Sequence, residues 1–106
     1  MSVKDLGSLF KQAQEMQSKM ADVQRDLAEK TVEVSTGGGM VKIVANGVNE
    51  IISIHIDDEL INMNDREVLE DLIAGAINEV HRKVKELAQE EMTRFTGGIK
   101  IPGLFP

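Results

Sequence analysis

The sequence predicts an α+β fold in which one helix, a three-stranded antiparallel meander and a second, longer helix follow one another. Three observations lead to this prediction. Apolar residues recur at alternating spacings of three and four between Leu6 and Leu27, short runs of alternating polarity occupy residues 31–57, and a broad apolar stripe returns after residue 65. The chain has 106 residues, so we expect a single domain over 1–106.

The first helix is predicted over about residues 5–30. Gly and Pro are absent from residues 8–36. The apolar positions fall at a and d of about three heptads, the pattern of a helix that packs on another helix. This stripe consists of Leu6, Leu9, Ala13, Met16, Met20, Val23 and Leu27.

Three strands are predicted over about residues 31–36, 40–45 and 49–57, each with apolar and polar residues in alternation. Gly37–Gly39 separate the first two strands, and Asn46-Gly47, a strong hairpin signal, separates the second from the third. A phosphate-binding loop would place its glycines at the start of a helix. Here the glycines lead into another strand, so we interpret them as a turn.

The second helix is predicted over about residues 65–95. Asn64 is a suitable N-cap, and Glu67 completes a capping box. Gly97-Gly98 form a natural end, so residues 97–106 are expected to be a flexible tail. The apolar stripe of this helix comprises Leu69, Leu72, Ile73, Ala76, Ile77, Val80, Val84, Leu87 and Ala88.

The lengths of the two helices suggest a homodimer. At 1.5 Å per residue the stretch from Leu6 to Leu27 and the second helix span roughly 32 and 46 Å, whereas a compact domain of this size is only about 34 Å across. One small sheet cannot cover both apolar stripes to their ends, so a second copy is the economical partner. We expect its interface on the heptad stripe, at Leu9, Ala13, Met16, Met20, Val23 and Leu27.

No arrangement of catalytic or metal-binding residues is recognisable in the sequence. The absence of Cys excludes disulfides, Cys-ligated zinc and thiol nucleophiles. His55 and His81 lack convincing metal-ligand partners at helical spacing, and the acidic run Asp57–Glu59 fits a solvated loop. Glu79 with Lys83, and Glu90 with Arg94, are expected to form i,i+4 pairs. We therefore expect a non-enzyme without cofactor, metal or small-molecule substrate.

The N-terminus lacks a secretory signal, and no segment approaches the length of a membrane span. We therefore expect a cytoplasmic protein without membrane contact.

The charged residues give conflicting indications about whether the protein binds nucleic acid. A formal net charge of −6 argues against a nucleic-acid binder. On the first helix, however, Lys4, Lys11 and Arg25 share heptad position f, opposite the apolar stripe, and a second basic group lies within residues 81–85. Both groups are also compatible with ordinary solvated helix faces. The candidate phosphate contacts are Lys4, Lys11, Lys19, Arg25, Arg82, Lys83 and Lys85.

Nearly the whole chain resembles the YbaB/EbfC family of bacterial nucleoid-associated proteins. The segments GSLFKQAQEMQSKMADVQRDLAE, GGGMVKIVANGVNEIISIHID, LEDLIAGAINEVHRKVKEL and GGIKIPGLFP carry the resemblance, in this order. It implies an intertwined, tweezer-like homodimer whose helical arms project from a sheet body and grip double-stranded DNA with little sequence preference. It also implies a cytoplasmic, nucleoid-associated protein that alters DNA conformation and contributes to nucleoid organisation and gene regulation.

Two other classes of protein share part of this pattern. A prefoldin-like chaperone subunit also joins two coiled-coil helices through β-hairpins, although its heptads are longer and it forms higher oligomers. A dimeric adaptor would use its exposed methionines and its tail to bind another protein. Mass in solution distinguishes the first class, and failure to bind DNA at low salt would favour the second.

Overall fold

A computed structural model describes residues 3–96, except for the side chains of Lys4 and Thr96. The predicted order of helix, three-stranded sheet and long helix is confirmed. One short helix between the sheet and the long helix was not predicted, and the predicted tail over 97–106 lies outside the described residues. The elements are α1 (Val3–Glu29), β1 (Thr31–Thr36), β2 (Val41–Asn46), β3 (Ile51–Ile56), α2 (Asp58–Asn62) and α3 (Arg66–Thr96).

The three strands form an antiparallel meander in the order β1-β2-β3. Val34 lies opposite Ile43, and Ile43 lies opposite Ile54, so these side chains share one face of the sheet. Gly37–Gly39 form a single 3₁₀ turn between β1 and β2. All three glycines have positive φ, which residues with a Cβ rarely adopt. The glycines therefore form a turn, as the sequence predicts.

The main core lies between α3 and the sheet. α3 packs across β1 and β2, because its apolar stripe meets the apolar faces of these strands. The third strand lies beyond this cover, so Ile54 remains about half exposed although it shares the apolar face. The buried residues of this core are Val34, Val41, Ile43, Ala45, Leu60, Ala76, Val80 and Val84.

A second core joins α1 to the C-terminal half of α3. Leu27 lines a groove together with Ala88, and Lys19, earlier in α1, lies over Phe95, later in α3. The two helices therefore run antiparallel. Towards its N-terminus α1 continues beyond this contact, and every described side chain from Val3 to Lys19 is exposed. The result is an elongated molecule of 71 × 22 × 20 Å. The residues of this core are Val23, Leu27 and Met92, with Met20, Val48, Leu87, Ala88 and Phe95 packed against them.

The predicted cap of α3 is displaced by one residue. Asp65, not Asn64, is the N-cap, because its Oδ1 accepts a hydrogen bond from the backbone N–H of Val68 at 3.2 Å. Asn64 instead takes φ = 53° in the turn before the helix, a left-handed conformation that Asn tolerates better than most residues. The predicted capping box between Asn64 and Glu67 is therefore wrong, and α3 begins with a single Asp cap.

Candidate nucleic-acid interface

The candidate phosphate contacts on α1 lie on the arm, which we define as residues 3–19 of α1, and just beyond it. The side chain of Lys4 lies outside the described part of the structure. Lys11 is exposed on the arm and has no carboxylate partner among the described residues. The Nζ of Lys19 lies 5.6 Å from the centroid of the Phe95 ring, a cation–π contact. Arg25 forms an ion pair with Asp22 at 2.5 Å.

The candidates on α3 point in three different directions. Arg82 forms ion pairs with Glu79 and Glu86 on the solvent side of the helix. Lys83 lies on the side of β1, where its Nζ donates to the carbonyl oxygen of Glu33 at 3.0 Å. Lys85 lies on the opposite side, in the groove that α3 forms with α1. The basic group in residues 81–85 is therefore not one surface.

The ion pairs of α3 also differ from the expected ones. Glu79 pairs with Arg82 instead of Lys83. Arg94 pairs with Glu91 instead of Glu90. Both observed pairs have i,i+3 spacing, which brings side chains on a helix as close as i,i+4 does.

The buried carboxylate of Glu91 is the main electrostatic link between α1 and α3. It accepts hydrogen bonds from Lys30, which follows α1, and from Arg94. The bond from Lys30 lowers the pKa of Glu91, and Arg94 adds to this effect, whereas burial opposes it. On the surface, the hydrogen bond between Arg82 and Glu79 lowers the pKa of Glu79 and raises that of Arg82. Lys30 and Arg94 are thus structural cations.

Four cations have no side-chain hydrogen bond, ion pair or ring contact within residues 3–96: Lys11, Lys42, Arg66 and Lys85. Lys11 and Lys85 are among the predicted contacts. Lys42 lies on the open, polar face of the sheet, where the alternation of β2 predicts it, and Arg66 begins α3. The sequence alone could not show which cations lack a partner, because ion pairing depends on the directions of the side chains in the folded chain.

The net negative charge is confined to one segment. Residues 57–71, which include α2 and the first turns of α3, contain seven acidic residues and one basic residue and so account for the whole charge of −6. The other 11 acidic and 11 basic residues balance. From Glu70 to Met92, α3 rises about 33 Å, and charge effects between exposed groups are screened over about 8 Å at physiological salt. The acidic composition is therefore no obstacle to anion binding at the α1 end.

The expected dimer-interface residues fall into two groups. Leu9, Ala13 and Met16 are exposed on the arm, and Met20 is half-buried. Val23 and Leu27 are buried against α3 of the same chain. Both residues already pack inside one chain, and the interface on the heptad stripe stays a prediction.

Within residues 3–96 no group of three or more His, Cys, Asp or Glu side chains is placed to hold a metal ion. None of the helices in this range is both long and apolar enough to cross a membrane.

The fold is also found in a crystal structure of an uncharacterized protein from Helicobacter pylori. The two structures superimpose with a TM-score of 0.73 over 91% of this chain and 98% of the other, at 24% sequence identity. At this identity the likeness shows a shared fold.

Two relatives share more of their sequence with this chain. A nucleoid-associated protein from Thermoanaerobacter pseudethanolicus is 46% identical over 101 residues, which cover 95% of this chain and 91% of the relative. Another from Desulfotalea psychrophila is 46% identical over 100 residues, 94% of each chain. The model of the YbaB/EbfC DNA-binding family matches residues 1–99. The chain therefore belongs to the YbaB/EbfC DNA-binding family.

Proposed function

We propose that this protein is a nucleoid-associated homodimer that binds duplex DNA through phosphate contacts, with little sequence preference. Family membership and the names of the relatives support DNA as the ligand. The observation that carries the proposal for this chain is the projecting arm of α1. It presents the unpaired cation Lys11 to solvent, and it lies at the opposite end of the molecule from the acidic segment 57–71.

The arm contacts phosphates and does not read bases. Lys11 and Lys85 supply free ammonium groups, and Lys4, Lys19 and Arg25 extend the cationic line along α1. Arg82 and Lys83 contribute after they exchange their present partners for phosphate oxygens. Lysine contacts to phosphate are sequence-independent and weaken as salt rises, because binding releases counterions from the DNA.

A homodimer places two arms on one particle. Two arms that straddle a duplex double the number of phosphate contacts, and they hold the DNA in a conformation that fits the gap between them. This arrangement accounts for an effect on DNA conformation, and hence for roles in nucleoid organisation and gene regulation. The protein then acts by binding, without catalysis, in the nucleoid.

Fluorescence anisotropy of a labelled duplex, titrated with the protein across a salt series, tests the proposal. We expect saturable binding that weakens steeply with salt and is similar on a scrambled duplex. Absence of binding even at low salt would contradict the proposal. It would favour a protein-binding adaptor, for which the exposed Leu6, Leu9, Phe10 and Met16 of the arm offer an apolar surface.

A further inference from the structure

The arm of α1 carries an apolar stripe that nothing within residues 3–96 covers. We call it the arm stripe, and its members are Leu6, Leu9, Phe10, Ala13 and Met16. Phe10 is 73% exposed, and the two leucines and Met16 are about half exposed. The packing of α3 on α1 reaches Met20 and Lys19 and ends there. A contiguous apolar patch of this kind marks a surface that another chain segment covers.

The direction of α3 leads the end of the chain towards the arm stripe. The two helices run antiparallel, and Phe95 lies against Lys19 at the base of the arm. α3 ends one residue later, at Thr96. A chain that continues in the direction of α3 therefore runs along the arm, from Met16 towards Leu6.

The chain that follows α3 is long enough to cover the arm stripe. Residues 97–106 span at most about 33–36 Å when fully extended. From Lys19 to Leu6, α1 rises about 20 Å. The difference leaves room for the turn by which the chain leaves the helix at Gly97-Gly98.

The composition of residues 99–105 complements an apolar helix face. Lys100 is the only charged residue of this segment, and Pro102 has no backbone N–H that needs a partner. An extended chain places alternate residues on opposite sides, so the neighbours of Lys100 can face the arm while its ammonium group faces water. The apolar residues of the segment are Ile99, Ile101, Leu104 and Phe105.

We infer that residues 99–105 pack along the arm of their own chain and cover the arm stripe. Tethering favours this occupant over a second copy, because a segment attached at the base of the arm has an effective concentration on the order of millimolar. A second copy on the same stripe, which the heptad pattern predicts, must displace the segment. Lys11 and Arg25 share heptad position f on the opposite side of α1, so they stay open to phosphate. The inference therefore requires neither DNA nor a dimer.

Cysteine cross-linking tests the position of the segment, since the chain contains no Cys. When extended, the chain from Phe95 to Ile101 reaches about 20 Å, which covers the rise of about 15 Å from Lys19 to Leu9. Leu9→Cys/Ile101→Cys therefore brings two thiols together. In Lys11→Cys/Ile101→Cys, the matched control, the first thiol lies at nearly the same height but on the opposite side of α1. With diamide as oxidant, we expect a disulfide within one chain to form several times faster in the first variant.

Non-reducing electrophoresis and a thiol assay on dilute protein measure both rates. Equal rates in the two variants would show that the segment does not face the arm stripe, and would overturn the inference. A disulfide between two chains, in place of one within the chain, would also overturn it and would identify a second copy as the occupant.

Amide hydrogen exchange, measured by mass spectrometry, tests whether the segment covers the arm. Ile101→Ser/Leu104→Ser keeps the full chain and removes two apolar contacts. Because a helix without a packing partner opens readily, we expect exchange in residues 3–19 to become several times faster. Exchange in residues 76–84 of α3, which pack on the sheet, should not change. Lys100→Ser is the matched control and should exchange like the wild type.

Equal exchange over residues 3–19 in the wild type and in Ile101→Ser/Leu104→Ser would overturn the inference. Neither measurement uses DNA, so a failure of DNA binding leaves both unaffected.

Discussion

The backbone N–H of Gly47 donates a hydrogen bond to the carbonyl oxygen of Leu27 at 2.8 Å. The same N–H also donates to the carbonyl oxygen of Lys30 at 3.1 Å. The turn between β2 and β3 thus satisfies carbonyls at the end of α1 that have no partner within the helix. A Cβ on residue 47 would lie 2.5 Å from the oxygen of Leu27. This position therefore requires glycine for close approach to α1.

We expect Gly47→Ala to lower the free energy of unfolding by about 1–3 kcal/mol, because backbone atoms must move to admit the methyl group. Urea denaturation followed by circular dichroism measures the change. Gly75→Ala is the control. A Cβ there meets Thr36 at an ordinary 3.7 Å, and Ala is about 1 kcal/mol better than Gly inside a helix. A loss of stability in the control, or none in Gly47→Ala, would contradict the close-approach explanation.

The N-cap of α3 gives a second stability prediction. Asp65→Ala removes the acceptor for the N–H of Val68 and should cost about 1 kcal/mol. Asp65→Asn keeps a capping oxygen and should retain most of the stability. Thermal unfolding of the three proteins compares them. If Asp65→Asn is as unstable as Asp65→Ala, the hydrogen bond is not the source of the effect.

Glu91 should make stability depend on pH in acid. Its pKa is lowered in the folded protein from the ordinary value of 4.5, so the ionised group stabilises the fold above that value. This contribution is lost as pH falls through the lowered pKa of the folded state. We expect wild type to exceed Glu91→Gln by about 1–2 kcal/mol at pH 7, because Lys30 and Arg94 lose a charged acceptor. The difference should shrink below pH 4.5.

Urea denaturation at a series of pH values measures this difference. Glu90→Gln is the control at pH 7, since Glu90 is exposed and has no ion-pair partner within residues 3–96. It should change stability by less than about 0.5 kcal/mol. A difference between wild type and Glu91→Gln that grows as the solution becomes more acidic would contradict the sign of the pKa shift.

DNA binding should depend on where a cation lies and not on the net charge alone. We expect Lys11→Ala/Lys85→Ala to weaken binding to all duplexes and to reduce the slope of log K against log salt by about one per lost contact. Arg66→Ala is the matched control. Like Lys11, Arg66 is exposed and has no ion-pair partner among the described residues, but it lies in the acidic segment 57–71. Anisotropy at physiological salt should show little change in Arg66→Ala.

If Arg66→Ala weakens binding as much per residue as the double variant, the contact surface includes the acidic end. The triple variant Lys4→Ala/Lys11→Ala/Arg25→Ala extends the same test along α1. Unchanged affinity and slope in that variant would exclude the cationic line of α1.

The order of elements could be predicted because it depends on local signals. The heptad spacing of α1, the alternation of the strands and the glycine turn act over a few residues. Burial could not be predicted in the same way. Ile54 and Val34 have the same sheet pattern, but only Val34 is covered, because α3 lies across β1 and β2. Likewise Leu9 and Leu27 share one heptad stripe, but the antiparallel packing of α3 reaches only Leu27.

The candidate site was predicted less completely than the fold. Spacing placed Lys11 and Arg25 on one line, and both lie on the exposed side of α1. It could not show that Arg25 is paired with Asp22 while Lys11 has no ion-pair partner within residues 3–96, since side-chain rotamers decide both. The distance between residues 57–71 and the arm could not be predicted from the sequence either, because it depends on how α3 runs along the length of the folded chain.

Within residues 3–96 the arm of α1 is supported at one end only, by the turn at Gly47 and by the C-terminal half of α3. From Met20 to Val3 the helix extends about 25 Å. A rotation of about 10° at the support carries its tip through about 4 Å, while the helix itself stays rigid. In the proposed dimer, a change of angle at this support would alter the gap between the two tips, at a distance from the bound duplex. Substitutions at this joint can change the fit to DNA without touching it.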